Sequence, residues 1–554
     1  MFSLLRVSLS PWQDRLTQSP RMRHTELSAL TVNKQRFNRF PGTAEKDLSV
    51  ARPPRVSVTF ACIGLLFGVL AGPATAVAAK ASTPASTSTP TLSPDVLRFV
   101  RVQSPTVVLT HVRVIDGTGA AAVADRNLVV ENGRITKIEA GADVADSAGT
   151  TVLSLAGYSV MPGIVGMHNH LYYIARPDLE SGRKPLSDPP LVVPEMLFSA
   201  PRLYLAAGVT TMRTTGSVEP YADLNLHDQI DAGKLPGPHI DVTAPYMEGA
   251  GSPFIQMHPI KTPEEARQFV TYWASVGATS FKAYMNLTRA ELKAAVDEAH
   301  RHGLKVTGHL CAITYPEAVA AGIDNLEHGF FVNTQLDKDK QPDVCSKSTG
   351  WETLDQMDPA GPEAQRLIAL LVSHHVAVTS TLPVFESVVA GRPPLEPRVL
   401  DAMSPQAREA YLYQRNHHFE HPRPNGAQEL ARGMALERAF VAAGGLLLAG
   451  PDPTGDGSVL PGFGDQREIE LLVEAGFQPT EAIRIATLNG AIYEGRQGSI
   501  GSIEVGKNAD LVVIKGDPST RVEDIENTEI VFKDGVGYDS QALIRSVAGR
   551  FGEY

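Results

Sequence analysis

Short β-branched apolar runs, partly alternating with polar residues, lie near opposite ends of the chain. Thr106–Ile115 (TVVLTHVRVI) alternates and is β-branched, and Asp116-Gly117-Thr118-Gly119 closes it as a turn. Asn127–Ile138 (NLVVENGRITKI) predicts a hairpin around Asn132-Gly133, a pair that tolerates the left-handed backbone of a tight hairpin turn. Ala509–Lys515 and Glu529–Lys533 predict strands, punctuated by Gly516-Asp517-Pro518 and Asp534-Gly535. These segments predict one small β-sandwich domain composed of residues 105–157 and 498–550.

Between them, residues 158–497 alternate short apolar runs with helical periodicity. Eight strands are predicted: Ser159–His170, Val209–Thr215, His239–Ala244, Thr279–Met285, Lys305–Leu310, Asn325–His328, Val376–Leu382 and Gly445–Ala449. Helix signals lie between them. Thr262 with Glu265, and Thr288 with Glu291, have capping-box spacing, and Gly277 and Gly303 follow as terminators. Eight strand–helix units predict an α/β fold, a (β/α)8 TIM barrel. Leu336–Pro362 and Phe385–Gly426, polar and proline-bearing, are expected to be insertions.

Composition changes this picture mainly before residue 105. The chain has 554 residues and a net charge of −11, yet residues 1–55 hold ten Lys/Arg against four Asp/Glu. The remainder is strongly acidic, which argues against nucleic acid as a partner. Val56–Gly72 is apolar, follows Arg52 and Arg55, and precedes Ala74-Thr75-Ala76. Basic flank, apolar core and small-residue site predict a signal peptide at 51–79 and an exported, periplasmic or secreted protein without a lasting membrane anchor. Residues 1–50 read as an unstructured extension or a mis-assigned start, with translation beginning near Val50. Residues 80–104 read as a Ser/Thr/Pro linker. The cysteines are Cys62, Cys311 and Cys345, too few for a disulfide framework. An exported protein can join Cys311 to Cys345. Otherwise Cys311 reads as a small buried side chain.

In a barrel, reacting groups sit at the C-terminal ends of strands. His168 and His170 close the first predicted strand, and their i, i+2 spacing puts both imidazoles on one side, able to share a cation such as Zn²⁺. Lys282 closes the fourth strand, His309 the fifth and His328 the sixth, and Asp452 follows the eighth. An ammonium at a cation site repels the metal. A neutral Lys282 amine that has taken up CO₂ becomes a bridging carbamate instead. Tyr172, Tyr173, Arg213, Tyr284 and Tyr315 are candidates for the pocket wall. His374-His375 and the His417–His421 cluster fall outside strand ends and carry no expected role.

The chain resembles the amidohydrolase superfamily, in particular imidazolonepropionase-like and prolidase-like metal-dependent hydrolases. Besides the His-Asn-His pair, the resemblance rests on Met161-Pro162-Gly163-Ile164, on Ala486-Thr487-Leu488-Asn489-Gly490-Ala491, and on the run from Gly501 to Leu511 (GSIEVGKNADL). It implies that His168, His170 and Asp452 bind one divalent ion, that His309 and His328 bind a second, and that carboxylated Lys282 bridges them. Two positions depart from the pattern. Gly166 stands where many relatives carry Asp, and Pro451 precedes Asp452.

The function so implied is hydrolysis of a C–N bond in an amide, cyclic amide or short peptide. A metal-activated hydroxide attacks, with Asp452 as general acid and base. The substrate is expected to be a small molecule or short peptide, and the chain is a candidate homo-oligomer. Three alternatives stay open. One is a mononuclear deaminase, against which Lys282 argues. Another is a lactone, ester or phosphotriester hydrolase on the same scaffold. The third, of another class, is a non-catalytic metal-binding envelope protein.

Overall fold

Pro162-Gly163 divides the first predicted strand into two strands that serve different sheets. The computed structural model describes residues 91–145, 147–175, 192–252, 254–453 and 459–553, all in the compact unit Ala85–Tyr554. Tyr158–Pro162 pairs antiparallel with Leu511–Lys515 in the terminal sheet, whereas Ile164–Asn169 starts the barrel strands. The break falls where proline withdraws an N–H from the ladder. The expected extension at 1–50 and signal segment at 51–79 lie outside the described residues. Part of the expected linker is ordered structure. Ser93 caps a short helix, Pro94–Leu97, and Val100–Val102 pairs with Val536–Asp539.

Eight parallel strands follow one another through the middle: β1 Ile164–Asn169, β2 Val209–Thr214, β3 His239–Val242, β4 Ser280–Ala283, β5 Lys305–Gly308, β6 Asn325–Glu327, β7 Ala377–Ser380 and β8 Leu447–Ala449. They form a three-stranded sheet, β1 to β3, and a five-stranded sheet, β4 to β8. Hydrogen bonds cross both seams. Ala244 N–H donates to Ser280 O (3.0 Å), and Asp452 N–H donates to His168 O (3.1 Å). The architecture is TIM-barrel-like, although the regular ladders define two sheets and not one ring. Gly450 permits the second seam, since a Cβ there would lie 2.3 Å from His168 N.

Strands from both ends of the chain share one nine-stranded sheet. Tyr158–Pro162 is the joint, pairing with Thr106–Val114 on one side and Leu511–Lys515 on the other. The hydrogen-bonded path is therefore continuous, and the pairing does not divide into the two sheets of a sandwich. Val107, Leu109, Leu128, Ile135, Val513 and Phe532 give this sheet its own core. The Asn132-Gly133 turn adopts the expected left-handed angles (φ 50° and 79°).

The two insertions fold differently from their composition. Phe385–Gly426 is largely helical. Pro397–Ala402 and Pro405–Glu420 are helices, the second capped by Ser404, whose Oγ accepts from Ala407 N–H. Leu336–Pro362 is organised by Asp337, which accepts hydrogen bonds from Gly350 N–H (2.9 Å) and Thr353 N–H (2.9 Å). A Cys311–Cys345 disulfide ties it to the loop after β5. Cross-linking residues 34 apart in sequence restricts the unfolded chain, typically worth about 2–4 kcal/mol. Cys345→Ser is therefore expected to lower unfolding free energy by about that amount in denaturant titrations, with added reductant having no further effect on the variant.

Candidate metal centre

All six residues expected at strand ends line one cavity of about 180 Å³: His168, His170, Lys282, His309, His328 and Asp452. Each owes its position to its strand. His168 belongs to β1 and His170 follows it, Lys282 belongs to β4, and His309 and His328 follow β5 and β6 directly. Asp452 leaves β8 through Gly450-Pro451 with φ 54°, and His328 has φ 67°. Both lie in the left-handed region that side-chain-bearing residues rarely adopt, a strain that collects at functional sites.

His168, His170 and Asp452 offer donor atoms that all lie within 4.8 Å of one another. Asp452 Oδ1 is 3.5 Å from His168 Nε2 and 3.1 Å from His170 Nε2, and its Oδ2 is 3.8 Å from His328 Nδ1. The His309 and His328 rings meet edge-on with centroids 4.4 Å apart.

Glu327, absent from the residues picked out in the sequence, decides how His168 presents itself. Its Oε2 lies 2.7 Å from His168 Nδ1. Its Oε1 accepts from Arg213 Nη2 (2.9 Å) and from Thr307 Oγ1. Burial alone would raise the Glu327 carboxyl, but His168, Arg213 and Lys282 hold it well below the usual range. Glu327 at Nδ1 fixes the His168 ring so that Nε2 is the atom turned toward Asp452 Oδ1, 3.5 Å away. Bonds of about 2.0–2.2 Å to one ion need donors at about this spacing.

The electrostatics fit a cation. Desolvation pushes His170 down to about 4 and His309 to about 3, so both stay neutral at pH 7 with lone pairs available. Burial raises Asp452 by itself, but His168, then His170 and His328, hold it well below the usual carboxylate range. Burial also brings Lys282, fully enclosed, down to about 8.

The expected pocket residues divide. Tyr172 and Tyr284 line the cavity. Arg213 and Tyr315 do not, which corrects their assignment as substrate contacts. Arg213 is spent inside the barrel on Met167 O (2.6 Å), Asn325 Oδ1 (2.9 Å) and Glu327. Tyr315 is fully buried and donates to Gly329 O (2.9 Å). Tyr173 packs on Phe551 instead. Tyr246 was missed, since it follows β3 with no ligand-like neighbour to mark it. Its hydroxyl lies 2.5 Å from that of Tyr172. Glu327 carried one available signal, its place directly before His328.

Gly166 is explained by what surrounds it. A Cβ there would meet Asn169 Nδ2 at 2.0 Å and Asp465 Oδ1 at 2.9 Å. Asp465, on the helix Phe463–Glu474, accepts from Asn169 Nδ2 (3.2 Å), so a carboxylate reaches this place from another element.

A further buried acid lies behind the site. Burial raises Glu437 to about 8, opposed by its hydrogen bond from Ser380 Oγ (2.8 Å). Its folded-state value exceeds its unfolded one, so the fold binds the extra proton. Stability from this group is complete below about pH 4.5 and is lost as pH rises to about 8. Glu437→Gln is expected to flatten the decline of melting temperature over that interval, an effect of a few kcal/mol at most.

A sequence profile of the amidohydrolase family matches residues 159–346 and 449–537, half of the chain. No functionally curated protein matches. Among solved structures, a candidate prolidase from Bifidobacterium longum is 25% identical with a TM-score of 0.56, covering 80% of this chain and 99% of its own. A Xaa-Pro dipeptidase with bound methionine is 21% identical with a TM-score of 0.58, covering 78% and 100%. Ochratoxinase from A. niger is 17% identical with a TM-score of 0.55, covering 81% and 100%. The chain belongs to the amidohydrolase family and is a hydrolase acting on carbon–nitrogen bonds.

Proposed function

We propose that this enzyme hydrolyses an amide, cyclic amide or short peptide at a binuclear centre. In this reading His168, His170 and Asp452 hold one divalent ion, with zinc the leading candidate. His309 and His328 would hold the other, with carboxylated Lys282 as a further ligand. The carrying observation is the convergence of donor atoms from His168, His170 and Asp452 within 4.8 Å of one another, in one cavity with Lys282, His309 and His328. Bound divalent ions would supply a water of lowered pKa, roughly 7, and polarise the carbonyl. The chain's own groups do the rest. Glu327 fixes the His168 ring, and the buried histidines stay neutral. Water adds to the carbonyl carbon, the C–N bond breaks, and the Asp452 carboxylate carries the water's proton to the leaving nitrogen.

Lys282 suits a carbamate because its lowered pKa leaves much of it as free amine near pH 8. The amine fraction rises with pH, so carboxylation rises too until CO₂ itself is depleted as bicarbonate. At equal dissolved CO₂, metal-stripped protein is expected to regain activity with added Zn²⁺ several-fold faster at pH 8 than at pH 6.5. Lys282→Ala is expected to lose that dependence. Elemental analysis should find two metal ions per chain. One ion per chain, bound by the compact His168–His170–Asp452 group, would instead favour the mononuclear reading. Full activity without metal would end both.

Prolidase-like neighbours favour short peptides as one substrate class to try. The disulfide supports export, because such bonds persist in oxidising compartments. N-terminal sequencing of the secreted or periplasmic protein tests this; a chain beginning at residue 1 would refute cleavage near residue 79. No helix among the described residues is long and apolar enough to cross a membrane.

A further inference from the structure

The cavity has two chemically distinct halves. The candidate ligands form one. The other is built from the segments after β1 to β3, chiefly Ile174, Val193, Val218, Tyr246, Phe254 and Met257. Tyr172, Val193 and Tyr246 form a small buried cluster of their own. Ile174, Val218, Phe254 and Met257 pack on it while remaining only partly buried. The Tyr172 and Tyr246 hydroxyls bond to each other at 2.5 Å, so two phenols of this wall already satisfy one another.

An ammonium or carboxylate seated against these side chains would give up its hydration for apolar contacts. An uncharged ring or branched alkyl group would instead bury apolar surface on both sides. At about 180 Å³ the cavity is smaller than the roughly 300–1,000 Å³ of pockets for drug-sized ligands. It suits a single such group and the bond next to it.

We propose that the wall of Ile174, Val193, Val218, Phe254 and Met257 selects substrates whose acyl side is uncharged and apolar, of aryl size, placing the amide carbonyl over the ligand half. This inference rests on the amide-hydrolase reading above and names its substrate class. A dipeptide with a free ammonium next to the ring is then a poor substrate, and a blocked or arylacyl amide is a good one.

The test compares three substrates that share an alaninamide leaving group: N-acetyl, N-phenylacetyl and L-phenylalanyl. The last carries the same ring one carbon further from the carbonyl and adds an α-ammonium. With the metal-loaded full-length chain, kcat/KM is expected to rise about 10–100-fold from acetyl to phenylacetyl, mostly through KM. It is expected to fall at least tenfold from phenylacetyl to phenylalanyl. In Val218→Asp the advantage of phenylacetyl over acetyl should collapse. Equal rates for acetyl and phenylacetyl, or preference for phenylalanyl, would overturn the proposal. Calorimetric binding of phenylacetamide and acetamide to the same protein separates the two readings. If no amide is hydrolysed, the amide-hydrolase reading fails. Tighter binding of phenylacetamide then still supports the apolar wall, and equal binding overturns it.

Discussion

Asp452→Asn is expected to retain the fold and lose hydrolysis by about 10²–10⁴-fold in kcat/KM, the usual worth of a positioned proton-transfer group. Asparagine is nearly the same size and, like aspartate, tolerates the left-handed backbone that residue 452 adopts at φ 54°. The backbone bond from residue 452 N–H to His168 O survives the change, so the seam between β8 and β1 stays closed. What disappears is the negative charge beside His168, His170 and His328. Two readouts separate this from misfolding. The circular dichroism spectrum and melting temperature of the metal-free variant should match those of the metal-free parent closely, while metal content and turnover fall together. A variant that keeps turnover within a few fold would remove Asp452 from the chemistry.

Arg213→Met is expected to be the most destabilising single change near the site, by about 3–5 kcal/mol in denaturant unfolding. Arg213 is fully buried and holds Met167 O, Asn325 and Glu327 together beneath the cavity. Methionine fills similar space but leaves Glu327 buried and ionised with less to balance it. The effect should reach the metal as well. Glu327 would relax toward a protonated state and release the His168 ring, and loss of such an outer partner typically costs 10–100-fold in metal affinity. The double variant Arg213→Met, Glu327→Gln should recover part of the stability, because it removes the uncompensated charge. It should not recover the metal affinity. Recovery of neither would show that Arg213 acts only through packing and through Met167.

How far the sequence reached differs between the two halves of the molecule. Local signals carried the strands and turns. Asn132-Gly133 made its hairpin, and Thr288 with Glu291 made its capping box. Ser404-Pro405 was an equally local signal, yet polar composition made the insertion around it read as loop. Strand-end position brought six candidate ligands to one cavity. The same logic failed for Arg213, because it locates a residue along a strand but not which neighbours it meets. Arg213 turns inward to partners on β1 and β6, and only packing shows that.

The sequence by itself determined the alternation of strands and helices and the chemical types gathered at the strand ends. Those follow from periodicity and backbone propensity, which act over a few residues. The tertiary structure decided the ring orientation of His168, the burial that keeps His170 and His309 neutral, and the apolar wall facing them. Each depends on groups distant in the chain: Glu327 is 159 residues from His168, and the Cys311–Cys345 bridge fixes an insertion beside the site. Desolvation and ring orientation are properties of that shared enclosure, so no stretch of sequence read alone contains them.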